Sequence, residues 1–381
     1  MTTLGVLLMT YGSPATLDDV PAYIASTRGG RPAPDDIVAE FQRRYRLIGG
    51  SPLLRITRAQ AAAVEARLNE STINGSAIDE SATADVRFKV GVGMRHAPPT
   101  IPDGLAELAA AGAQRIAAVI MSPQYSPYIM GGYHRGVDAG RERLGSGVEI
   151  AVAGAWHQHP DFLGALAQRV EEALGRFPAQ ERDHVQVILT THSLPQPVVE
   201  REPEYLDQLQ ETVRAIVHLT GLGAPNAEGA DAADGGGQRD QSGQRWGFAY
   251  QSAGHTPEEW LKPDLKDVLP GVRAAGHRHV LVVPVQFLAD HLEILYDIDV
   301  AAREEAEAAG LTFHRIESLN CAPRFIDALA DVARRTLGLS PLAERRSVSG
   351  GASPGRPADV GGTQALEARG RGRSSAEVSR A

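Results

Sequence analysis

The sequence has 381 residues, 43% of them hydrophobic, enough for two domains of ordinary size or one large α/β unit. Its single cysteine, Cys321, excludes a disulfide framework and a four-cysteine zinc or iron–sulfur site within one chain. A formal charge of −9 argues against a general nucleic-acid binder. With no run approaching ~20 apolar residues and no basic-flanked leader, the chain reads as soluble and cytoplasmic.

Residues 4–10 are a short apolar strand ending in the turn Tyr11-Gly12-Ser13-Pro14. Residues 17–27 and 35–47 have helical spacing, separated by a loop at 28–34 whose Gly and Pro content forbids one continuous helix. Arginines 28, 31, 43, 44, 46, 55 and 58 outnumber the acids Asp35, Asp36 and Glu40 here, a basic patch in an acidic chain. Such a patch suits an anionic ligand of limited size, or equally a set of solvated helix faces. A second turn at 48–53 leads to a helix at 55–69, and the small polar residues of 70–85 read as a surface loop. Strand-like runs at 86–94 and 116–121 flank a helix at 102–112, the alternation of a parallel sheet. The first run ends in Arg95-His96. The second ends in Ser122–Ser126 and continues to Gly131-Gly132-Tyr133-His134, and 148–153 closes a first half at 1–155.

After a helix at 161–176, the run 185–189 leads into Thr190-Thr191-His192-Ser193-Leu194-Pro195. The segments VLLMTYGSP and VILTTHSLP look like two copies of one strand and turn, with Tyr11 and His192 at equivalent ends. A strand at 247–250 precedes Gln251–His255, and 279–285 is an almost unbroken apolar strand. The second half is therefore expected at 156–340, with a disordered Gly- and Ala-rich insertion at 221–245, a last amphipathic helix at 324–337 and a disordered tail at 341–381. The fold expected is two similar Rossmann-like α/β halves, each a parallel sheet flanked by helices, facing across a cleft.

The segment 287–300, FLADHLEILYDIDV, reads as a helix with two unlike faces. At ~100° per residue, Asp290, Glu293 and Asp297 share one stripe, with Leu288, Leu292 and Leu295 opposite. Alone, that stripe is first a solvated acidic face. Ligands of open parallel sheets bind beyond the carboxyl ends of the strands, where Tyr11, His96, Tyr125, Tyr133, His192, His255 and Glu293 all fall. Each has an ordinary reading as a cap or rim aromatic. Together they describe a cleft with an arginine-rich lip, aromatic walls, a histidine and a line of carboxylates, suited to a large, flat, anionic molecule and a metal ion. Neither GxxxxGK(S/T) nor a GxGxxG between strand and helix is present, and the absence of HExxH argues against a tightly held structural zinc.

From about residue 4 to 337, without the loops at 70–85 and 221–245, the chain resembles the ferrochelatases, enzymes that insert ferrous iron into a porphyrin. The resemblance rests on several ordered motifs. They are Tyr11-Gly12-Ser13-Pro14, Arg44-Tyr45 with Ile48-Gly49-Gly50-Ser51, Thr191–Pro195, Tyr205–Leu209, Tyr250-Gln251-Ser252, Trp260–Pro263 and Asp290–Asp297. It implies an iron site at His192 and Glu293, and a porphyrin sandwiched between the halves and held by positions matching Arg28, Arg44, Tyr45, Ser51 and Tyr133. Tyr11 falls where the coproporphyrin III enzymes of monoderm bacteria carry a tyrosine that ligates product iron, so coproporphyrin III is the substrate implied. The turn ending in Ser51 is one residue shorter than in that branch.

The expected activity is that of a lyase forming nitrogen–metal bonds in haem biosynthesis. His192 and Glu293 are expected to be catalytic, with Asp290 and Asp297 as a relay for protons or hydrated cations. The expected partners are porphyrin and ferrous iron, the latter as substrate, with transient contacts to neighbouring haem-pathway enzymes, no nucleic acid and no transmembrane segment. A monomer is expected, with no tightly bound cofactor and no 2Fe–2S cluster. The competing readings are a protoporphyrin IX ferrochelatase, a cobalt chelatase acting on sirohydrochlorin, and a non-catalytic porphyrin- or haem-binding protein.

Overall fold

The short apolar runs form strands and the stretches between them form helices, leaving every paired strand parallel. The structure, a computed structural model, describes residues 2–73, 86–223, 245–254 and 258–342, with side chains through 70 in the first stretch. The first half runs β1 (Thr2–Thr10), α1 (Val20–Thr27), α2 (Asp35–Leu47), α3 (Leu53–Ile73), β2 (Val86–Met94), α4 (Ile101–Ala110), β3 (Ala113–Ile120), α5 (Pro127–Leu144) and β4 (Glu149–Val152). The second runs α6 (Pro160–Gly175), β5 (Val185–His192), α7 (Gln196–Arg201), α8 (Pro203–Leu219), β6 (Trp246–Gln251), α9 (Leu265–Ala274) and β7 (His279–Pro284). A π-helix (Glu293–Ala302), α10 (Arg303–Ala308), β8 (Thr312–Arg315) and α11 (Pro323–Thr336) complete it.

The two four-stranded sheets have the same internal order, β2-β1-β3-β4 and β6-β5-β7-β8. β1 and β5 occupy equivalent places, so the likeness of their sequences is a true structural repeat. The fold is α/β with two Rossmann-like halves. Strands β5 and β7 are buried along nearly their whole length, because helices cover both faces of a parallel sheet.

The sheets divide near residue 155, but the core does not. Leu4, Val6 and Leu8 of β1, Val187 and Leu189 of β5, and Phe325 and Leu329 of α11 belong to one cluster of buried side chains. α11 returns from the end of the chain to lie against α3 and β3. Gln60 Nε2 donates to the Asn320 carbonyl at 2.8 Å and Arg67 pairs with Asp327 at 2.6 Å. Residues 2–342 therefore belong to one compact unit rather than two separable ones.

Three local expectations differ from the structure. α3 continues to Ile73, so 70–73 is helical, while 74–85 lies outside the described residues. Gly131–His134, read only as a continuation of the run after β3, lies inside α5. The segment 287–300 is not one helix, since helical geometry starts around Leu292 and takes the π form from Glu293. Within the π-helix Ile294, Ile298 and Ala302 pack into the second-half core, while Leu288 and Leu292 are buried in two other clusters and Leu295 is half-buried. Residues 224–244 of the insertion and 343–381 of the tail, together with His255, lie outside the described residues.

Candidate active site

The carboxyl ends of the strands bring the titratable residues together. β5 ends on His192, whose backbone N–H donates to Gln286 Oε1 at 3.1 Å just beyond β7. Its Nδ1 lies against the Ser193 carbonyl, which puts the ring proton on Nδ1 and leaves the Nε2 lone pair facing outward. Nε2 is 3.7 Å from Glu293 Oε2. The Gln286 amide donates in turn to the Tyr205 hydroxyl from α8, so the strand end is braced from behind.

Glu293 begins the π-helix, where an acidic side chain meets the positive end of the helix dipole. A second imidazole approaches it, with His291 Nε2 at 3.6 Å from the same Oε2. Burial pushes the Glu293 carboxyl up, but the charge of His192 and the hydrogen bond and charge of His291 outweigh it and hold the group at about 2. Burial likewise disfavours the charged form of His291, yet the contact with Glu293 leaves its pKa above the ordinary histidine value. The site is thus an anion between two imidazoles.

Asp297, one π-turn on, is pushed up by burial, opposed by a hydrogen bond from Ser252 and by the Arg44 charge. Ser252 follows β6 in the left-handed region at φ 58, a conformation that costs a non-glycine residue and here aims its hydroxyl at Asp297. Asp290 does not join this stripe. It precedes the helix, and its carboxylate accepts from Ser318 Oγ at 2.7 Å and Asn320 Nδ2 at 2.9 Å, with Arg315 at 3.5 Å.

Across the cleft, β1 hands over to Tyr11, which is 42% exposed, and Gly12 turns the chain at φ 95. The Tyr11 ring lies 4.5 Å from the His96 ring, and His96 Nδ1 is 3.0 Å from Ser26 Oγ of α1. The Arg95 guanidinium stands 5.7 Å from the Tyr11 ring and 5.6 Å from the Tyr133 ring. It fits because residue 132 is glycine, where a Cβ would lie 2.0 Å from Arg95 Nε. Burial raises the Tyr11 phenol, Arg95 draws it down and Glu293 adds to the rise, so the two sides of the cleft feel one another.

The residues expected at the ring edge fall into two groups. Arg28 is exposed at the end of α1, and Arg44 of α2 bonds Glu40 at 2.8 Å and lies 3.6 Å from Asp297. Tyr45 and Tyr133 are instead core residues, 3% and 8% exposed. Tyr45 packs with Val20, Ile24 and Leu292, hydrogen-bonded to Tyr23, while Tyr133 lies beneath Arg95. Ser51 Oγ accepts from the Leu53 N–H at 3.4 Å at the start of α3. Tyr125 bonds His134 at 2.9 Å.

Residues 3–337 match the Ferrochelatase family. The chain belongs to the ferrochelatase family. It is 37% identical over 333 residues to a ferrochelatase of Deinococcus radiodurans, covering 87% of this chain and 95% of that one. It is 33% identical over 337 residues to the coproporphyrin III ferrochelatase of Bacillus subtilis, covering 88% of this chain and 98% of that one. Among solved structures, SirB from Bacillus subtilis with Fe3+ aligns with a TM-score of 0.49 at 14% identity, over 90% of this chain and 100% of that one. Within this ferrochelatase chain, sequence reasoning passed over His291, Arg95, Ser252 and Gln286. His291 stands in the motif Asp290–Asp297 itself, and Arg95 and Ser252 directly follow strands, which was the signal available for all three.

Proposed function

We propose that the chain inserts ferrous iron into coproporphyrin III, giving coproheme, as a cytoplasmic monomer without a resident cofactor. The observation that carries the reading is the His192–Glu293 pair set opposite an exposed Tyr11 at the carboxyl ends of two equivalent strands. Several similar proteins are named coproporphyrin III ferrochelatases, which supports that substrate over protoporphyrin IX. Among the described residues no helix is long and apolar enough to cross a membrane.

Insertion removes two pyrrole protons as Fe2+ enters the ring. His192, with its proton held on Nδ1 by the Ser193 carbonyl, offers the Nε2 lone pair to a pyrrole N–H. Glu293, kept ionised by its two imidazoles, offers charge and an oxygen donor to Fe2+, which enters as substrate. Asp297, beside Glu293 on the π-helix, passes hydrated cations or protons between the pair and the rim. Arg28 and Arg44 bind ring-edge carboxylates, and Ser51 fixes the turn between α2 and α3. Tyr45 and Tyr133 contribute as packing beneath Leu292 and Arg95. Gripping the edge of the ring puts remote binding energy into a puckered macrocycle whose nitrogens point at the metal. Tyr11 is suited to ligate the iron of the product.

The test is anaerobic mixing of the purified protein and Fe2+ with coproporphyrin III or protoporphyrin IX, followed by visible absorption. Fast metallation of coproporphyrin III alone is expected. Preference for protoporphyrin IX would overturn the substrate, and binding of both without metallation would leave a porphyrin carrier.

A further inference from the structure

We propose that Tyr296 is a positioning residue that holds the π-helix carboxylates in register with a porphyrin gripped by α2; the inference rests on the ferrochelatase reading. A π-helix is a rare form, seen mostly as single-turn bulges, so ten consecutive residues of it need support from outside. Two sides supply it plainly. Ile294, Ile298 and Ala302 pack into the second-half core, and Asp299 receives both Nε and Nη2 of Arg315 at 2.7 and 2.8 Å.

The remaining side is held by α2, an element of the other half. Glu40 fixes two guanidiniums at once, accepting from Arg43 Nε at 2.7 Å and from Arg44 Nε at 2.8 Å. Those guanidiniums flank one aromatic ring. Arg43 lies 5.4 Å and Arg44 4.8 Å from the centre of Tyr296, and Arg43 Nη2 donates to its hydroxyl at 2.5 Å. A ring within reach of two cations is attracted to both through its π electrons. Tyr296 follows Glu293 by three residues and immediately precedes Asp297, whose carboxylate is 3.6 Å from the same Arg44. Leu292 adds an apolar contact with Val20, Ile24 and Tyr45 of α1 and α2. The helices expected to grip the ring edge and the helix that carries the iron-facing acid are thereby joined around Tyr296.

Without the ring between Arg43 and Arg44, the segment relaxes toward the ordinary α register and Glu293 swings out of line with His192. Porphyrin still binds, since Arg28 and Arg44 remain. Tyr296→Leu removes the ring, Tyr296→Phe keeps it and loses only the hydroxyl, and Arg43→Leu removes one guanidinium from the more exposed side.

The experiment measures kcat, KM for Fe2+ and porphyrin affinity by fluorescence quenching, beside the melting temperature. For Tyr296→Leu a loss of roughly tenfold to a hundredfold in kcat/KM for Fe2+ is expected, the range for groups that orient metal-site ligands. Porphyrin affinity should stay within about twofold, and Tyr296→Phe should recover most of the loss. Wild-type values for Tyr296→Leu, or a parallel loss of porphyrin affinity, would overturn the proposal. If Tyr296→Leu fails to fold, Arg43→Leu decides, with an iron-specific loss supporting the proposal and unchanged kinetics overturning it. If the wild-type protein metallates no porphyrin, the ferrochelatase reading fails and takes this inference with it; an active wild type with an unaffected Tyr296→Leu sinks this inference alone.

Discussion

Ser318 donates its hydroxyl to Asp290 at 2.7 Å, closing a link between the segment after β8 and the turn before the π-helix. Asn320 reinforces it twice, accepting from the Asp290 N–H at 3.0 Å and donating to Oδ2 at 2.9 Å. Arg315 stands 3.5 Å from the same carboxylate, so Asp290 is a brace and not a member of the cleft stripe. Asp290→Ala should therefore destabilise the fold by about 2–3 kcal/mol, the scale of hydrogen bonds to a charged group. Turnover by the folded fraction should stay within about threefold, because only stability is lost. Denaturant unfolding paired with kcat checks this. Normal stability with a large loss of kcat would return Asp290 to the relay.

Glu293 owes its low pKa to two imidazoles that outweigh the effect of burial, so removing one should move it upward. The sign follows from the carboxylate: in the proposed mechanism it acts ionised, so the acid limb of the pH profile lies where it protonates. In His291→Asn that limb should shift to higher pH while activity at neutral pH largely survives. If His192 takes pyrrole protons as proposed, His192→Ala should instead cost on the order of a hundredfold or more in kcat at every pH, with porphyrin binding retained. Rate profiles of the two variants from acid to neutral pH distinguish them. An unchanged acid limb in His291→Asn would separate His291 from the control of Glu293.

The repeat was legible in the chain because β1 and β5 are both central strands, whose apolar runs and polar ends are set by burial alone. The placement of Tyr11 and His192 at strand ends was legible for the same reason, whereas Glu293 was read from an acidic stripe inside a longer helix and not as the helix start it occupies. The position of Asp290 was not, because its partners Arg315, Ser318 and Asn320 lie well along the chain and periodicity cannot see them. The π-helix escaped too: its period is not the one on which an amphipathic stripe is counted, so the predicted apolar face was rotated away from Ile294 and Ile298. Tyr45 and Tyr133 have the composition of ligand-facing aromatics, and only packing reveals them as buried.

Arg95 depends on a missing side chain. A Cβ at residue 132 would fall 2.0–2.4 Å from its Nε, Cζ and Nη2, so Gly132→Ala must displace the guanidinium from Tyr11 and Tyr133. Alanine itself favours helix over glycine by about 0.5–1 kcal/mol, so the fold should survive. With Arg95 gone from beside it, the Tyr11 phenol should titrate higher still, because that charge now draws it down. Spectrophotometric titration of the Gly132→Ala and Arg95→Leu variants should show the same upward shift for Tyr11, and for the buried Tyr133, whose phenol Arg95 also draws down. A shift in Arg95→Leu alone would mean that Arg95 finds room beside alanine.

Asp331 of α11 ties down the end of the folded unit. One oxygen accepts from His159 Nε2 at 2.9 Å and Arg335 Nε at 2.6 Å, and the other from the Leu342 N–H at 2.5 Å. His159 also accepts at Nδ1 from the Asp161 N–H, which caps α6. Burial raises the Asp331 carboxyl, but these donors overcome it and bring the group to about 2. A folded pKa below the unfolded value of ~3.9 stabilises the protein above that value, and the contribution disappears as pH falls toward the folded pKa. Wild-type stability should therefore fall more steeply than that of Asp331→Asn between pH about 4 and about 2, the two curves converging toward the acid end. Urea unfolding at several pH values across that window measures the difference. Parallel curves would show that the carboxylate carries no net charge stabilisation at this joint.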